Sequence, residues 1–126
     1  MAALRILYVE DNAELRDMVC ELMAAPGRSI VALPDGESAW AAWQHQPADV
    51  LLTDISLPGM SGTDLARKVL ARRPQQWVVF CSGYDPTQAM CQLGANVRAI
   101  PKAFECADLE AMLTEIAASL AAGARS

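Results

Sequence analysis

Five short apolar runs punctuate the chain: Leu4–Val9, Ser29–Leu33, Asp49–Thr53, Trp77–Cys81 and Val97–Ile100. They are rich in Val, Ile and Leu and largely continuous, the pattern of strands buried on both sides rather than of strands with one wet face. Between them the apolar period changes to that of a helix. Leu15, Met18, Val19 and Leu22 form the predicted inward face of a first helix that begins near Asn12 and is stopped by Pro26-Gly27. Asp35 is placed to cap a second helix, whose inward face would carry Ala39, Trp40 and Trp43 and which Pro47 ends. A third spans about Thr63 to Arg73 with Leu65, Val69 and Leu70 inward, and Pro74 ends it. A short fourth, poor in apolar anchors, spans about Pro86 to Leu93 and is stopped by Gly94. The fifth covers about Ala107 to Ala121, with Leu109, Met112, Leu113, Ile116 and Leu120 as its core stripe. Strand and helix alternating in this way predict an α/β domain, a mostly parallel sheet of five strands with helices on both faces, because parallel crossovers are right-handed and carry helices. Ligands of such sheets bind beyond the carboxyl ends of the strands.

The residues that close the runs carry the chemistry. Glu10 and Asp11 follow the first, Asp54 the third, Ser82 the fourth, and Lys102 comes just beyond Pro101 at the end of the fifth. If the first and third runs are neighbouring parallel strands, three carboxylates meet at one sheet edge, and their mutual repulsion calls for a cation. Mg²⁺ takes oxygen ligands, keeps several waters and needs only one or two carboxylates with a carbonyl. Asp11 and Asp54 are the expected direct ligands, Glu10 a ligand through water, and Ser56 a ligand through its backbone carbonyl; Mn²⁺ could substitute. Asp54 can also act as nucleophile, since aspartyl-phosphate formation is a known covalent route for a carboxylate. Lys102 and the cation would then offset charge on a transferring phosphoryl group, and Ser82 would hydrogen-bond one of its oxygens.

Each of these residues alone has an ordinary reading. Glu10 and Asp11 suit a helix N-terminus, Ser82-Gly83 suits a turn, and Lys102 suits a solvated surface. Their joint placement at successive strand ends favours the functional reading. Pro58-Gly59-Met60-Ser61-Gly62 reads chiefly as a turn and helix entry, His45 as a surface residue, and Met60 and Tyr84 as packing at the rim of the site.

Composition narrows the classes further. With 126 residues, 53% of them apolar, the chain is expected to be a single domain over 1–126 with a core of about 4–121. A net charge of -5 and the lack of a basic run argue against direct nucleic-acid binding. Arg67, Lys68, Arg72 and Arg73, the densest positive group, read as the exposed face and basic end of the third helix. Cys20, Cys81, Cys91 and Cys106 show neither a metal-binding spacing nor a disulfide framework, which suits a reduced, cytoplasmic protein. No secretory signal pattern is expected at the start, no apolar stretch approaches the ~18 residues needed to span a bilayer, and residues 121–126 read as a fraying tail.

Four segments together resemble the receiver domain of two-component response regulators. They are Ile6-Leu7-Tyr8-Val9-Glu10-Asp11-Asn12, Leu51 through Gly62, Ser82-Gly83-Tyr84, and Pro101-Lys102-Ala103-Phe104. The resemblance implies a flavodoxin-like (βα)5 domain with strand order 2-1-3-4-5, an order the chemotaxis receivers illustrate. It also implies phosphoryl transfer to Asp54 from a histidine kinase or histidine phosphotransfer protein, with Mg²⁺ in the acidic cluster, Ser82 as the switch hydroxyl and Lys102 as the family's lysine. The domain would support its own phosphorylation and dephosphorylation without being a turnover enzyme. Phosphorylation adds about -1.5 to -2 units of charge and shifts the balance between loop arrangements. A downstream protein would read that shift at the face of the fourth helix, fifth strand and fifth helix. No DNA-binding or catalytic output segment is expected, so the signal would pass by protein contact, from a stand-alone regulator or from the receiver of a larger one.

Two positions depart from the family pattern. Ala103 stands where proline usually follows the lysine through a cis bond, and a cis bond to alanine costs about 2.5–4 kcal/mol. The Lys102–Ala103 peptide is therefore expected to be trans. Ala99 stands where an aromatic ring usually relays the switch, so the response is expected to concentrate in the loops after Thr53 and Cys81. Three competing classes remain in view. A phosphorylation-independent pseudo-receiver would normally lose the acid pair, the aspartate or the lysine, all of which are present. A haloacid-dehalogenase-type phosphatase would want a second acid where Ser56 stands. A flavin or nucleotide carrier would want a phosphate-cradling glycine motif, and neither G-x-x-x-x-G-K nor G-x-G-x-x-G occurs.

Overall fold

Alternating side chains along each strand send successive residues to opposite faces, and that period of two organises the molecule. A computed structural model describes residues 4–55, 57, 59–82, 94, 96–101 and 106–123. Its strands are β1 (Leu4–Val9), β2 (Arg28–Leu33), β3 (Val50–Asp54), β4 (Trp77–Ser82) and β5 (Val97–Pro101). All pair in parallel in the order β2-β1-β3-β4-β5. The described helices are α1 (Ala13–Met23), α2 (Gly36–His45), α3 (Gly62–Arg72) and α4 (Cys106–Gly123), the last being the fifth of the helices expected from sequence. The short helix expected near Pro86 to Leu93 lies outside the described residues.

Two hydrophobic layers result. On one face Ile6, Tyr8, Leu52 and Val79 pack with Val19 and Met23 of α1 and Leu109, Leu113 and Ile116 of α4. On the other, Leu7, Leu51, Val78 and Phe80 pack with Ala39 and Trp43 of α2 and Leu65, Ala66, Val69 and Leu70 of α3. The side chain of Asp35 accepts the Ser38 N–H at 2.7 Å, so the expected cap of α2 forms, and that of Asn12, at the expected start of α1, accepts the Leu15 N–H at 3.1 Å as a second cap. Hydrogen bonds from Ser38, first that of its backbone N–H and then that of its side chain, lower the Asp35 carboxyl pKa from its ordinary value.

Met18 corrects the expected inner face of α1: it is 52% exposed. The buried positions are Val19 and Met23, and at 3.6 residues per turn Met18 points roughly 100° from the first and 140° from the second. The layers are also tied at their edges. Arg28 at the start of β2 grips Glu110 of α4 with two hydrogen bonds, 2.6 and 2.9 Å, and donates to the Met23 carbonyl at 3.0 Å. Buried Gln76 accepts from the Trp43 indole at 3.2 Å and donates to the carbonyls of Asp49 and Trp77 at 2.9 and 3.0 Å, leaving no end of its amide unused.

Candidate functional site

Parallel register decides what meets at the carboxyl edge of the sheet. Val9 pairs with Thr53 and Asp54 with Cys81, so the residues just beyond β1 stand beside the end of β3. Glu10 is buried and fixed: its N–H donates to the Leu33 carbonyl at 3.0 Å, its own carbonyl accepts Arg16 Nη1 at 2.8 Å, and its Oε2 accepts the Asn12 N–H at 3.1 Å. Asp11 is exposed, while Asp54 is buried at the last position of β3. One carboxylate oxygen from each of Glu10, Asp11 and Asp54 falls within 4.8 Å of the others. Three hard oxygen donors, two on buried residues and one open to solvent, suit a small divalent cation and leave positions for water.

Tyr8, in the core on the α1–α4 face, has its phenol pushed far above its ordinary range by burial and then by Cys81, Glu10, Cys20 and Asp54, and it stays neutral.

The chain leaving Asp54 is bent back on itself. The Gly62 N–H donates to the Ile55 carbonyl at 2.9 Å, and Ser61 caps α3 by accepting the Asp64 N–H at 3.1 Å. Glu37, in the first turn of α2, accepts the Met60 N–H at 2.6 Å. Three glycines allow this approach. Gly59 has φ +71, a conformation side chains disfavour, and a Cβ there would also meet Glu37 Oε1 at 2.7 Å. A Cβ on Gly36 would stand 2.8 Å from the Met60 carbonyl oxygen, and one on Gly62 would collide with the Asp54 carbonyl oxygen.

Of the residues singled out from sequence, Glu10, Asp11 and Asp54 are therefore brought together. β4 ends at Ser82, which pairs with Pro101 at the end of β5. The Ser82 side chain, Ser56, Tyr84, Lys102 and the Lys102–Ala103 peptide lie outside the described residues. Glu37 and the packing role of Gly62 were not foreseen. The glycine spacing of the Gly59–Gly62 segment was a visible signal, but the partner that explains it comes from a different helix.

A family model for the response regulator receiver domain matches residues 6–114. Among curated proteins, the chain is 40% identical over 67 residues to the sensory transduction protein RegX3 of Mycolicibacterium smegmatis, covering 53% of this chain and 29% of that protein. It is 32% identical over 80 residues to the response regulator receiver protein CpdR of Brucella abortus, covering 64% of this chain and 67% of that one. The chain thus spans under a third of RegX3 and about two thirds of CpdR. The solved response regulator receiver domain (CheY-like) from Methylobacillus flagellatus superposes with a TM-score of 0.78 at 27% identity, over 91% of this chain and 99% of that one. Together with the five-stranded parallel order 2-1-3-4-5, these likenesses make the chain a member of the response regulator receiver domain family of two-component signalling.

Proposed function

We propose that this domain is a phosphoacceptor, modified on Asp54 by a phosphohistidine donor and dependent on Mg²⁺. The observation that carries the reading is the convergence of Glu10, Asp11 and Asp54 within 4.8 Å at the sheet edge where parallel α/β folds bind ligands. Asp11 and Asp54 would hold the ion directly, Glu10 through water, with the Ser56 carbonyl as a further donor. When bound, Mg²⁺ offsets the charge of the cluster and of the incoming phosphoryl oxygens.

In the transfer, an Asp54 carboxylate oxygen forms a bond to phosphorus as the bond from phosphorus to the donor imidazole nitrogen breaks. Burial of Asp54 and Glu10 keeps bulk water from competing for the acidic oxygens and strengthens their attraction to a cation. Glu37 and the three glycines hold the loop after Asp54 against α2, so that its backbone stays close to the site. Ser82 and Lys102 would engage the phosphoryl oxygens and draw the flanking loops inward.

The donor is a histidine kinase or histidine phosphotransfer protein, and the output is protein contact through the face containing β5 and α4, without direct binding of nucleic acid. Among the described residues no helix is long and apolar enough to cross a membrane. A cytoplasmic signalling role fits this composition. Intact-mass analysis after incubation with acetyl phosphate and Mg²⁺ tests the reading. One added phosphate is expected, lost with EDTA and in Asp54→Asn. Equal labelling of the Asn variant would remove Asp54 from the role.

A further inference from the structure

The basic residues of α3 do more than end a helix. Trp40 and Trp43 stack on α2, with ring centroids 5.8 Å apart and planes 10° from parallel. The Lys68 ammonium and the Arg72 guanidinium lie 5.8 and 5.5 Å from the Trp40 ring centre, and the Arg73 guanidinium lies 5.9 Å from that of Trp43. Lys68, Arg72 and Arg73 are exposed. Among the described residues no carboxylate comes within ion-pairing distance of these three, whereas Arg67 has Asp64 at 3.7 Å. Lys68 and Arg72 are like charges one helical turn apart, a spacing that disfavours the helix. The indole faces supply the compensating attraction and hold the cations in place.

The strip continues beyond α3. Arg73 also lines a cleft of about 770 Å³ with Gln75, Trp77, Asn96 and Arg98, and the Arg98 guanidinium sits 5.1 Å from the centre of the Trp77 ring. Four of the chain's ten Lys and Arg residues (Lys68, Arg72, Arg73 and Arg98) therefore gather here, although the net charge is -5. The exposed guanidiniums of Arg72 and Arg73, held over indole rings, keep N–H groups available for carboxylates. The surface is positive, partly aromatic and already ordered, so a ligand that uses it loses little side-chain freedom in these cations. The net charge of -5 and the absence of a longer basic run disfavour a nucleic acid, which needs many clustered cations, whereas a short acidic peptide segment needs only this local patch.

We propose that the α2–α3 face is a docking surface for an acidic peptide segment of a partner protein, its carboxylates engaging Lys68, Arg72 and Arg73. The surface lies toward the end of the sheet opposite Asp54, because Trp77 pairs with Val50 at the start of β3. Docking therefore leaves the phosphoacceptor edge open, and it does not depend on the role proposed for Asp54.

All three tryptophans of the chain, Trp40, Trp43 and Trp77, belong to this strip, so intrinsic fluorescence reports on it directly. The full chain is titrated with acetylated octaglutamate, and in parallel with single-stranded oligothymidylate of equal charge. The expected result is a saturable change in tryptophan emission with octaglutamate at low ionic strength, weakening as salt is raised. Affinity should fall about tenfold in the combined Lys68→Gln, Arg72→Gln and Arg73→Gln variant and stay unchanged in Asp54→Asn. Arg72→Gln alone, checked by circular dichroism, should show a smaller loss and preserves the test if the triple variant folds poorly. Absence of octaglutamate binding, equal affinity in the Gln variants, or equal or tighter binding of oligothymidylate would each overturn the proposal.

Discussion

Replacing Gly62 by alanine places one methyl group where the end of β3 already stands. The added Cβ would collide with the Asp54 carbonyl oxygen and lie 2.9 Å from the Asp54 carbonyl carbon and 3.1 Å from Ile55 Cα. All three are backbone atoms, so no side-chain rotation relieves the clash. The same carbonyl oxygen accepts the Thr53 hydroxyl at 2.9 Å, and Gly62 itself is held to the Ile55 carbonyl, so a shift of α3 breaks bonds on both sides. Overpacking a tight site costs about 1–3 kcal/mol, and the upper end applies where the obstruction is main chain. Unfolding entropy of about 2.1 cal/mol/K per residue gives roughly 0.26 kcal/mol/K for this chain, so a cost of about 3 kcal/mol lowers Tm by roughly 11 °C. Gly27→Ala is the matched control. Gly27 has φ +84 and nothing within 4 Å of a Cβ, so only backbone strain is added. That strain is worth about 1–2 kcal/mol, or roughly 4–8 °C. Thermal melts followed by far-UV circular dichroism should rank wild type above Gly27→Ala and Gly27→Ala above Gly62→Ala. Incorporation of phosphate from acetyl phosphate should drop in Gly62→Ala alone. A Gly62→Ala protein that melts within about 2 °C of wild type and labels normally would refute the close approach of α3 to Asp54.

Three further outcomes follow from the same geometry. Mg²⁺ at about a hundredfold its Kd should add about 2.7 kcal/mol, raising Tm by roughly 10 °C, and Asp11→Asn should remove more than half of that gain in calorimetry; an undiminished gain would exclude Asp11 from the site. Mg²⁺ should leave tryptophan emission nearly unchanged, because Trp77 pairs with Val50, four residues or about 13 Å along the strand from Asp54, and Trp40 and Trp43 lie on α2; a strong quench would contradict that separation. The Glu110 carboxyl is held below its ordinary value of 4.5 chiefly by its hydrogen bonds to Arg28. This stabilisation is present above that value and lost as pH falls through the lower folded-state value, so the stability advantage of wild type over Glu110→Gln should shrink below about pH 4.5 in denaturant titrations; a constant difference would count against the pair.

What could be read from sequence was mostly local. All five strands lie within one residue of their expected ends, since runs rich in Val, Ile and Leu, closed by polar residues or proline, leave little freedom. The Asp35 cap was equally legible because the group it satisfies is three residues away, whereas the sequence marks Asn12 only as the start of its helix. Met18 was misread since both it and Val19 fit a broad apolar stripe, and only the direction of the sheet selects between them. Within the site, the three acids could be placed together once β1 and β3 were taken as neighbours. Glu37 could not, because its hydrogen bond to Met60 joins two helices' surroundings with no periodic signal to mark it. The same holds for Arg28 and Glu110, separated by 82 positions, and for Gln76 with Trp43. These are tertiary pairings in which Arg28, Glu110 and Gln76 look like ordinary surface or turn positions in one dimension.

The sheet acts as a partition between two separately packed interiors. Tyr8, Leu52 and Val79 have their helical neighbours on α1 and α4, and Leu51, Val78 and Phe80 theirs on α2 and α3. A change in side-chain volume is felt mainly within its own interior, since the backbone layer between the two is held by hydrogen bonds and yields little. Compensating substitutions in diverging members of the family should therefore pair Phe80 with Leu65 or Val69, and Val79 with Leu109 or Leu113, and seldom cross from one set to the other. The α2–α3 side can then drift in sequence to suit new partners while the α1–α4 side keeps its own packing, and a library built to alter one need not randomise the other.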